Sequence, residues 1–127
     1  MPIDHNIKIL IVDDFSTMRK IIRNILTQLG FKNIVEADDG TTALDILNKE
    51  KIDLIISDWN MPKMNGLELL KAVRSNENTK DIPFIMVTAE AQRENILEAI
   101  KYRVSQYVVK PFTPETLKEK IEKVLGG

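Results

Sequence analysis

The sequence predicts an α/β fold, a parallel sheet with helices on both faces, and two observations predict it. Short apolar, β-rich runs alternate five times with stretches whose apolar residues recur at three- and four-residue spacings, the pattern of strand–helix–strand units. The central run, Leu54-Ile-Ile56, is apolar at consecutive positions, as in a strand buried on both faces of a parallel sheet. At 127 residues the chain makes one domain, spanning 1–127 and long enough for a full core.

Ile7-Lys-Ile-Leu-Ile-Val12 is the first expected strand, and it ends in Asp13-Asp14. Phe15, Met18, Ile21, Ile22, Ile25, Leu26 and Leu29 then form one expected apolar stripe of a helix. Arg19, Lys20 and Arg23 fall outside that stripe, and Gly30 is its stop. Ile34-Val35 centres a short second strand, and Asp39-Gly40 turns it into a helix carrying Ala43, Leu44 and Leu47. The third strand ends at Asp58, before a Pro/Asn/Gly-rich turn that holds no regular structure. Asn65 and Glu68 have capping-box spacing, starting a helix through Leu67, Leu70 and Val73. Ser75 to Asp81 is a polar loop, and Pro83-Phe-Ile-Met-Val-Thr88 a fourth strand with its proline at the permitted first position. Ile96, Leu97 and Ile100 stripe a fourth helix, and Gln106-Tyr-Val-Val-Lys110 is a fifth strand. Thr113-Pro114 is a good helix start, with Leu117, Ile121 and Val124 as its apolar stripe.

Composition narrows the function. Charged residues are 29% of the chain but the net charge is −1, which argues against a general nucleic-acid binder. Without cysteine there is no disulfide framework, thiolate metal site or cysteine nucleophile. Met1-Pro-Ile-Asp-His-Asn6 lacks the basic start and apolar core of a signal peptide, and no run approaches membrane-spanning length. A soluble, cytoplasmic protein is therefore expected.

The chemistry collects at strand ends. Four of the five strands end in polar residues: Asp13-Asp14, Asp58, Thr88 and Lys110. Parallel strands place these on one edge, where open α/β sheets bind ligands. Neighbouring strands lie about 4.8 Å apart, so carboxylates on adjacent strands can share one ion. Three acids without a sulfur ligand suit Mg²⁺ more than Zn²⁺. Thr88 offers a hydroxyl and Lys110 a neutralising charge, completing the parts for phosphoryl transfer. Singly, each has a bland reading: Asp14, Asp58 or Thr88 as a cap or turn residue, Lys110 as an edge lysine. Met61, Met64 and Met86 read as core filler, and His5 as a surface residue. The coincidence of four strand ends outweighs these.

Val12-Asp-Asp14, Ser57-Asp58, Met61-Pro62, Thr88-Ala89 and Lys110-Pro111-Phe112 resemble, in order and over essentially the whole chain, the signature of response-regulator receiver domains. The longer runs Asp13-Asp-Phe-Ser-Thr-Met-Arg19, Asp58-Trp-Asn-Met-Pro62, Val87-Thr-Ala-Glu90 and Tyr107-Val-Val-Lys-Pro-Phe-Thr113 are similar to those of the family's chemotaxis members. The resemblance implies a flavodoxin-like strand order, 2-1-3-4-5. It implies that Asp58 accepts a phosphoryl group from a histidine kinase of the chemotaxis type, and that Asp13 and Asp14 hold Mg²⁺ with Asp58 and the backbone carbonyl of Asn60. Lys110 would contact the acyl phosphate, with a cis bond to Pro111. Thr88 and Tyr107 would form a switch acting on the fourth helix, fifth strand and fifth helix. Ala91, Arg93, Ile96, Tyr107 and Lys120 would be the contacts on that face, with a flagellar motor switch protein as the partner; a phosphatase would be a further partner. Asn60 and Glu90, two residues beyond Asp58 and Thr88, would flank the approach of a hydrolytic water.

The implied protein is a monomeric phosphoacceptor switch without nucleic-acid or membrane partners, not an enzyme, loading from small donors and dephosphorylating itself. No output domain follows residue 125, so output is expected by protein contact. A phosphorelay intermediate or phosphate sink is the alternative with the same chemistry. An aspartyl-nucleophile phosphatase is the alternative of another class, but it would typically carry an Asp where this chain has Asn60. A nucleotide or flavin carrier would want a Gly-rich first loop, and Asp13-Asp-Phe-Ser is not one. The chain departs from the family at Asn65, commonly aspartate, and at Tyr102-Arg103, usually a small residue and glycine. Either Arg103 holds a left-handed backbone at a cost of about 1 kcal/mol, or the fourth helix ends differently.

Overall fold

Strands such as Leu54–Ser57 and Phe84–Thr88, buried at every position, need cover on both faces, and five helices supply it. The computed structural model describes residues 3–126; Met1, Pro2 and Gly127, the outer ends of the 1–127 domain assignment, lie outside the described residues. The strands are β1 (Lys8–Val12), β2 (Asn33–Ala37), β3 (Leu54–Ser57), β4 (Phe84–Thr88) and β5 (Gln106–Val109). The helices are α1 (Ser16–Gln28), α2 (Gly40–Lys49), α3 (Gly66–Ser75), α4 (Arg93–Lys101) and α5 (Pro114–Leu125). All strand pairs are parallel, in the order β2-β1-β3-β4-β5, as the family resemblance implied.

Alternation along the strands divides the core in two. Ile9, Ile11, Leu54 and Ile56 face α1 and α5, packing with Ile22, Ile25, Leu26, Leu117 and Ile121. Leu10, Val12 and Ile55 face the other way, toward Ala43 of α2, Leu69, Leu70 and Val73 of α3 and Ala99 of α4. Ile56 is fully buried in the middle of this arrangement, and its truncation to alanine would cost about 2–5 kcal/mol.

Two expected stripes are narrower in the structure. Phe15 and Ile21 are 66% and 44% exposed. Phe15 is the N-cap residue of α1, with extended backbone (φ −93, ψ 114), so it precedes the helical face it was expected to continue. Ile21 is one position, about 100° of rotation, from the buried Ile22. On α4 the single fully buried residue is Ala99, whose small side chain lets the helix approach the sheet. Leu97 and Ile100, two positions before it and one after, are turned away and stand 51% and 56% exposed.

Helix ends follow their local chemistry. Asn65 accepts the Glu68 amide proton at 2.8 Å while the Asn65 N–H donates to the Glu68 carboxylate at 3.0 Å, the expected capping box. The Thr113 hydroxyl caps α5 by accepting from Thr116 N at 3.1 Å. The end of α4 settles the Tyr102-Arg103 alternative. Arg103 takes the left-handed backbone, φ 64, with Val104 N–H donating to Ala99 O at 3.0 Å and Arg103 N–H to Ile100 O at 2.9 Å, a Schellman closure. Arg74 braces it: Nε and Nη2 donate to the Arg103 carbonyl at 3.2 and 2.9 Å, and Nη1 donates to Lys80 O and Ile82 O at 3.0 and 2.6 Å. No helix among the described residues is long and apolar enough to cross a membrane.

Candidate functional site

Sheet register delivers the acids. Val12 pairs with Ser57 across β1 and β3, so the next residue on each strand, Asp13 and Asp58, emerges side by side. Ladder-like bonds continue past the strand ends: Asp13 N–H donates to Ala37 O at 3.1 Å, Asp58 N–H to Val12 O at 2.9 Å, and Lys110 N–H to Thr88 O at 2.8 Å. The five residues expected at the strand ends thus share one edge of the sheet.

Oxygen atoms of Asp13, Asp14 and Asp58 lie within 4.8 Å of one another. Asp13 and Asp58 are only 1% and 6% exposed, whereas Asp14 is open to solvent. The Lys110 ammonium bridges the buried pair, 3.2 Å from Asp13 Oδ2 and 3.4 Å from Asp58 Oδ2. Burial pushes the Asp13 carboxyl above its ordinary pKa; the Phe15 N–H and Lys110 pull it down, and the Asp58 charge pushes it up again. When all three acids are ionised, one ammonium leaves two negative charges unbalanced. An all-oxygen donor set with that deficit fits a hard divalent cation such as Mg²⁺.

The backbone fixes Asp58 closely. Its Oδ1 accepts the Trp59 N–H at 2.7 Å, leaving Oδ2 toward Lys110. Its carbonyl accepts the Ser57 hydroxyl at 2.8 Å. Gly66 N–H donates to Trp59 O at 2.8 Å, and this folds the turn back so tightly that a Cβ on Gly66 would meet Asp58 O at 2.1 Å. The Lys110–Pro111 bond is cis.

The rim is made by two loops. Thr88 is fully buried, and its Oγ1 accepts the Glu90 N–H at 3.2 Å. Asn60 Nδ2 donates to Glu90 Oε1 at 2.7 Å, and Asn95 Nδ2 donates to Glu90 Oε2 at 3.2 Å. Tyr107 OH donates to the Glu90 carbonyl at 2.7 Å. Burial, with the Glu90 and Asp58 charges, pushes the Tyr107 phenol up to about 12, so it stays a donor throughout the neutral range. Ala91, just before α4, and Arg93, its first residue, are exposed, while Ile96 on α4 and Lys120 on α5 are half-buried; none belongs to the acidic cluster.

Three positions that sequence reasoning passed over help to build the site. In the sequence Gly66 is one residue of the turn after Asp58, Asn95 carries no signal, and Arg19 falls outside the α1 stripe. Arg19 donates from Nη1 to the Asp13 carbonyl at 2.6 Å and from Nε to Glu36 at 2.9 Å. The motif run ending at Arg19 was the one signal that pointed toward it; its partner Glu36 lies on β2, far from it in the chain.

Residues 9–122 match the family model for the response regulator receiver domain. The chain is 61% identical to the chemotaxis protein CheY of Pseudomonas aeruginosa, over 92% of this chain and 94% of that protein. It is 56% identical to the chemotaxis protein CheY-3 of Vibrio cholerae serotype O1, over 96% and 94% of the two chains. Among solved structures it resembles the chemotaxis response regulator CheY4 of Vibrio cholerae, with a TM-score of 0.87, 38% identity, and coverage of 94% of this chain and 99% of that one. The fold also matches the receiver domain of a sensor histidine kinase from Pseudomonas aeruginosa, which has a magnesium ion coordinated in its active-site cleft, at 24% identity, a TM-score of 0.86 and coverage of 96% and 99%. With a strand order, an acidic edge and close relatives that agree, the chain is a CheY-like member of the response regulator receiver domain family.

Proposed function

We propose that this protein is a phosphorylation switch of chemotaxis, in which Asp58 accepts a phosphoryl group from a histidine kinase. The observation that carries this is the cluster of Asp13, Asp14 and Asp58 at the carboxyl edge of the sheet, with the Lys110 ammonium beside Asp13 and Asp58. Asp13, Asp14, Asp58 and the backbone carbonyl of Asn60 would hold Mg²⁺, which when bound supplies charge neutralisation to the phosphoryl oxygens. In the transfer, an Asp58 carboxylate oxygen bonds to phosphorus as the phosphorus–nitrogen bond of the donor phosphohistidine breaks, its electron pair leaving with the imidazole. Lys110, already beside Asp58, balances charge on the incoming group. Hydrolysis ends the loaded state: water bonds to phosphorus as the Asp58 oxygen–phosphorus bond breaks, and the electron pair of that bond returns to the Asp58 carboxylate. Inorganic phosphate leaves, the water's proton passing to it or to solvent.

The output is contact. Thr88 and Tyr107 sit at opposite ends of the Glu90 backbone, its N–H and its carbonyl. A Thr88 hydroxyl drawn to a phosphoryl oxygen would release the first of these bonds and shift the β4–α4 loop against Tyr107, biasing a two-state face. Ala91, Arg93, Ile96, Tyr107 and Lys120 lie on that face. The exposed Leu97 and Ile100 add apolar area suited to a protein partner, here the flagellar motor switch. A cytoplasmic, monomeric protein fits this role.

The test is phosphoryl incorporation from a small acyl-phosphate donor with Mg²⁺ present. Stoichiometric loading of the parent and none of Asp58→Asn is expected. Loading that survives in Asp58→Asn undiminished would place the acceptor elsewhere and overturn the proposal.

A further inference from the structure

We infer that Arg19, held by Glu36, is a positioning residue for the divalent-cation site, acting through the Asp13–Asp14 peptide; the inference rests on the Mg²⁺ reading above. Asp13 and Asp14 are consecutive, so one peptide plane links the two, and its rotation swings Asp14 relative to Asp13. Three bonds fix the backbone and side chain about that plane. The Asp13 N–H is held by Ala37 O at 3.1 Å, and Asp13 Oδ1 accepts from Phe15 N at 2.9 Å. The Asp13 carbonyl, an atom of the plane itself, accepts from Arg19 Nη1 at 2.6 Å.

Arg19 could not hold that carbonyl alone. It lies six positions along the chain from Asp13, and a free arginine side chain gains about 2 kcal/mol of rotamer entropy by leaving. Glu36 removes that freedom. Its Oε1 accepts from Arg19 Nε at 2.9 Å and its Oε2 accepts from Arg23 Nε at 2.9 Å. Arg23 in turn donates from Nη2 to Ile34 O at 3.2 Å. A carboxylate on the edge strand β2 is thereby clamped between two guanidiniums of α1. The Arg19 fork spans from Glu36 to Asp13, its Nε on the carboxylate of the first and its Nη1 on the carbonyl oxygen of the second.

This geometry makes an unusual demand on sign. Arg19 is a cation close to a cation site, so charge alone says that removing it tightens Mg²⁺ binding. Positioning says the reverse, because groups that orient metal ligands typically govern affinity by ten- to a hundredfold. Arg19→Gln removes the charge and the fork. Arg19→Lys keeps the charge but cannot bridge Nε and Nη1 contacts with a planar group. Glu36→Gln keeps Arg19 and loosens its clamp.

The experiment is Mg²⁺ titration of each full-length variant by Trp59 fluorescence, with thermal melting in the absence of Mg²⁺ as the control for folding. Weakening by about tenfold is expected for Arg19→Gln and Arg19→Lys, and a smaller weakening for Glu36→Gln, at mutant melting temperatures that show folded protein at the titration temperature. Tighter binding in Arg19→Gln with Arg19→Lys equal to the parent would mean that Arg19 acts by charge alone, and unchanged binding in both that it has no part in the site; either result overturns the inference while leaving the cation site intact. A parent that shows no Mg²⁺ response at all would overturn both readings. If Arg19→Gln does not fold, Arg19→Lys and Glu36→Gln decide: parent-like affinity in both rejects positioning.

Discussion

Gly66 and Asp58 touch through their backbones: a Cβ placed on Gly66 would lie 2.1 Å from the Asp58 carbonyl oxygen and 2.9 Å from Trp59 Cα. Both obstructing atoms are main chain and cannot rotate away. The glycine is therefore the element that lets the turn after β3 close against the acidic edge, and Asn65, the cap of α3, hangs on the same closure.

Gly66→Ala is accordingly expected to destabilise the fold by about 1–3 kcal/mol or more, the range for overpacking, and to displace Asp58. Val73→Ala, a cavity in the distant α3 core, provides a comparator of similar cost. Denaturant unfolding measures both losses, and Mg²⁺-dependent Trp59 emission separates them. The metal response should fall in Gly66→Ala and persist in Val73→Ala.

At the end of α4, Arg103 sits at φ 64, a conformation costing a side chain about 1 kcal/mol. Arg74 bonds to its carbonyl, not its side chain, so those bonds survive any replacement at 103. Arg103→Gly should therefore stabilise the protein by up to about 1 kcal/mol, less whatever the extra freedom of glycine adds to the unfolded chain. Arg74→Ala should destabilise it by more, because it strands three carbonyls. Chemical denaturation of the two variants checks both signs.

Much of this was legible in the chain because it depends on neighbours in sequence. The runs of β1, β3 and β4, the Asn65–Glu68 box and the Thr113-Pro114 start each carry their signal within a few residues. The acidic cluster was legible for a different reason: parallel strands must deliver their ends together, whatever their order. That order, and the cis bond before Pro111, came from the family resemblance. What resisted reading were residues whose partners are distant. Leu97 and Ile100 have the spacing of a buried stripe, but the buried position is Ala99, chosen by how closely α4 must approach β4. Arg19 and Glu36 are ordinary surface charges until α1 packs beside β2. Thr79, in the polar loop after α3, is buried because its hydroxyl reaches back to Val73 O at 2.8 Å.

Asp39 supplies a pH-dependent share of stability. As N-cap of α2 its Oδ1 accepts from Thr41 N at 2.8 Å, Thr42 N at 3.0 Å and the Thr41 hydroxyl at 2.5 Å. The Thr41 hydroxyl first, then the Thr42 N–H, hold its pKa below the usual 3.8. A depressed carboxylate stabilises the fold above its unfolded pKa and loses that contribution as pH falls through the folded value. Asp39→Ala should cost about 1–2 kcal/mol at neutral pH. The parent's advantage over Asp39→Asn should disappear well below 3.8. Urea unfolding at the two pH values is the measurement; an advantage that grew on acidification would contradict the assignment.

Asn60 and Glu90, expected to flank the path of a hydrolytic water, are bonded to each other at 2.7 Å. Glu90 is pinned further by Asn95 and, through its carbonyl, by Tyr107, so the two loops meet in a polar bar at the rim of the Asp58 pocket. In-line hydrolysis needs water on the side of phosphorus opposite Asp58. Asn60→Arg would exchange a neutral amide for a guanidinium able to bond both Glu90 oxygens, making the bar longer and bulkier. Dephosphorylation should slow by roughly ten- to a hundredfold, the scale on which misplacing one reactant acts, while loading at Asp58 persists. Decay of Trp59 quenching after donor removal, at constant Mg²⁺, measures it. Adding Glu90→Gln to Asn60→Arg separates two causes. If the ion pair holds the arginine across the pocket, the double variant should recover part of the lost rate; if bulk alone blocks the water, it should decay as slowly as Asn60→Arg. A parent-like decay in Asn60→Arg itself would remove Asn60 from the control of phosphoryl lifetime.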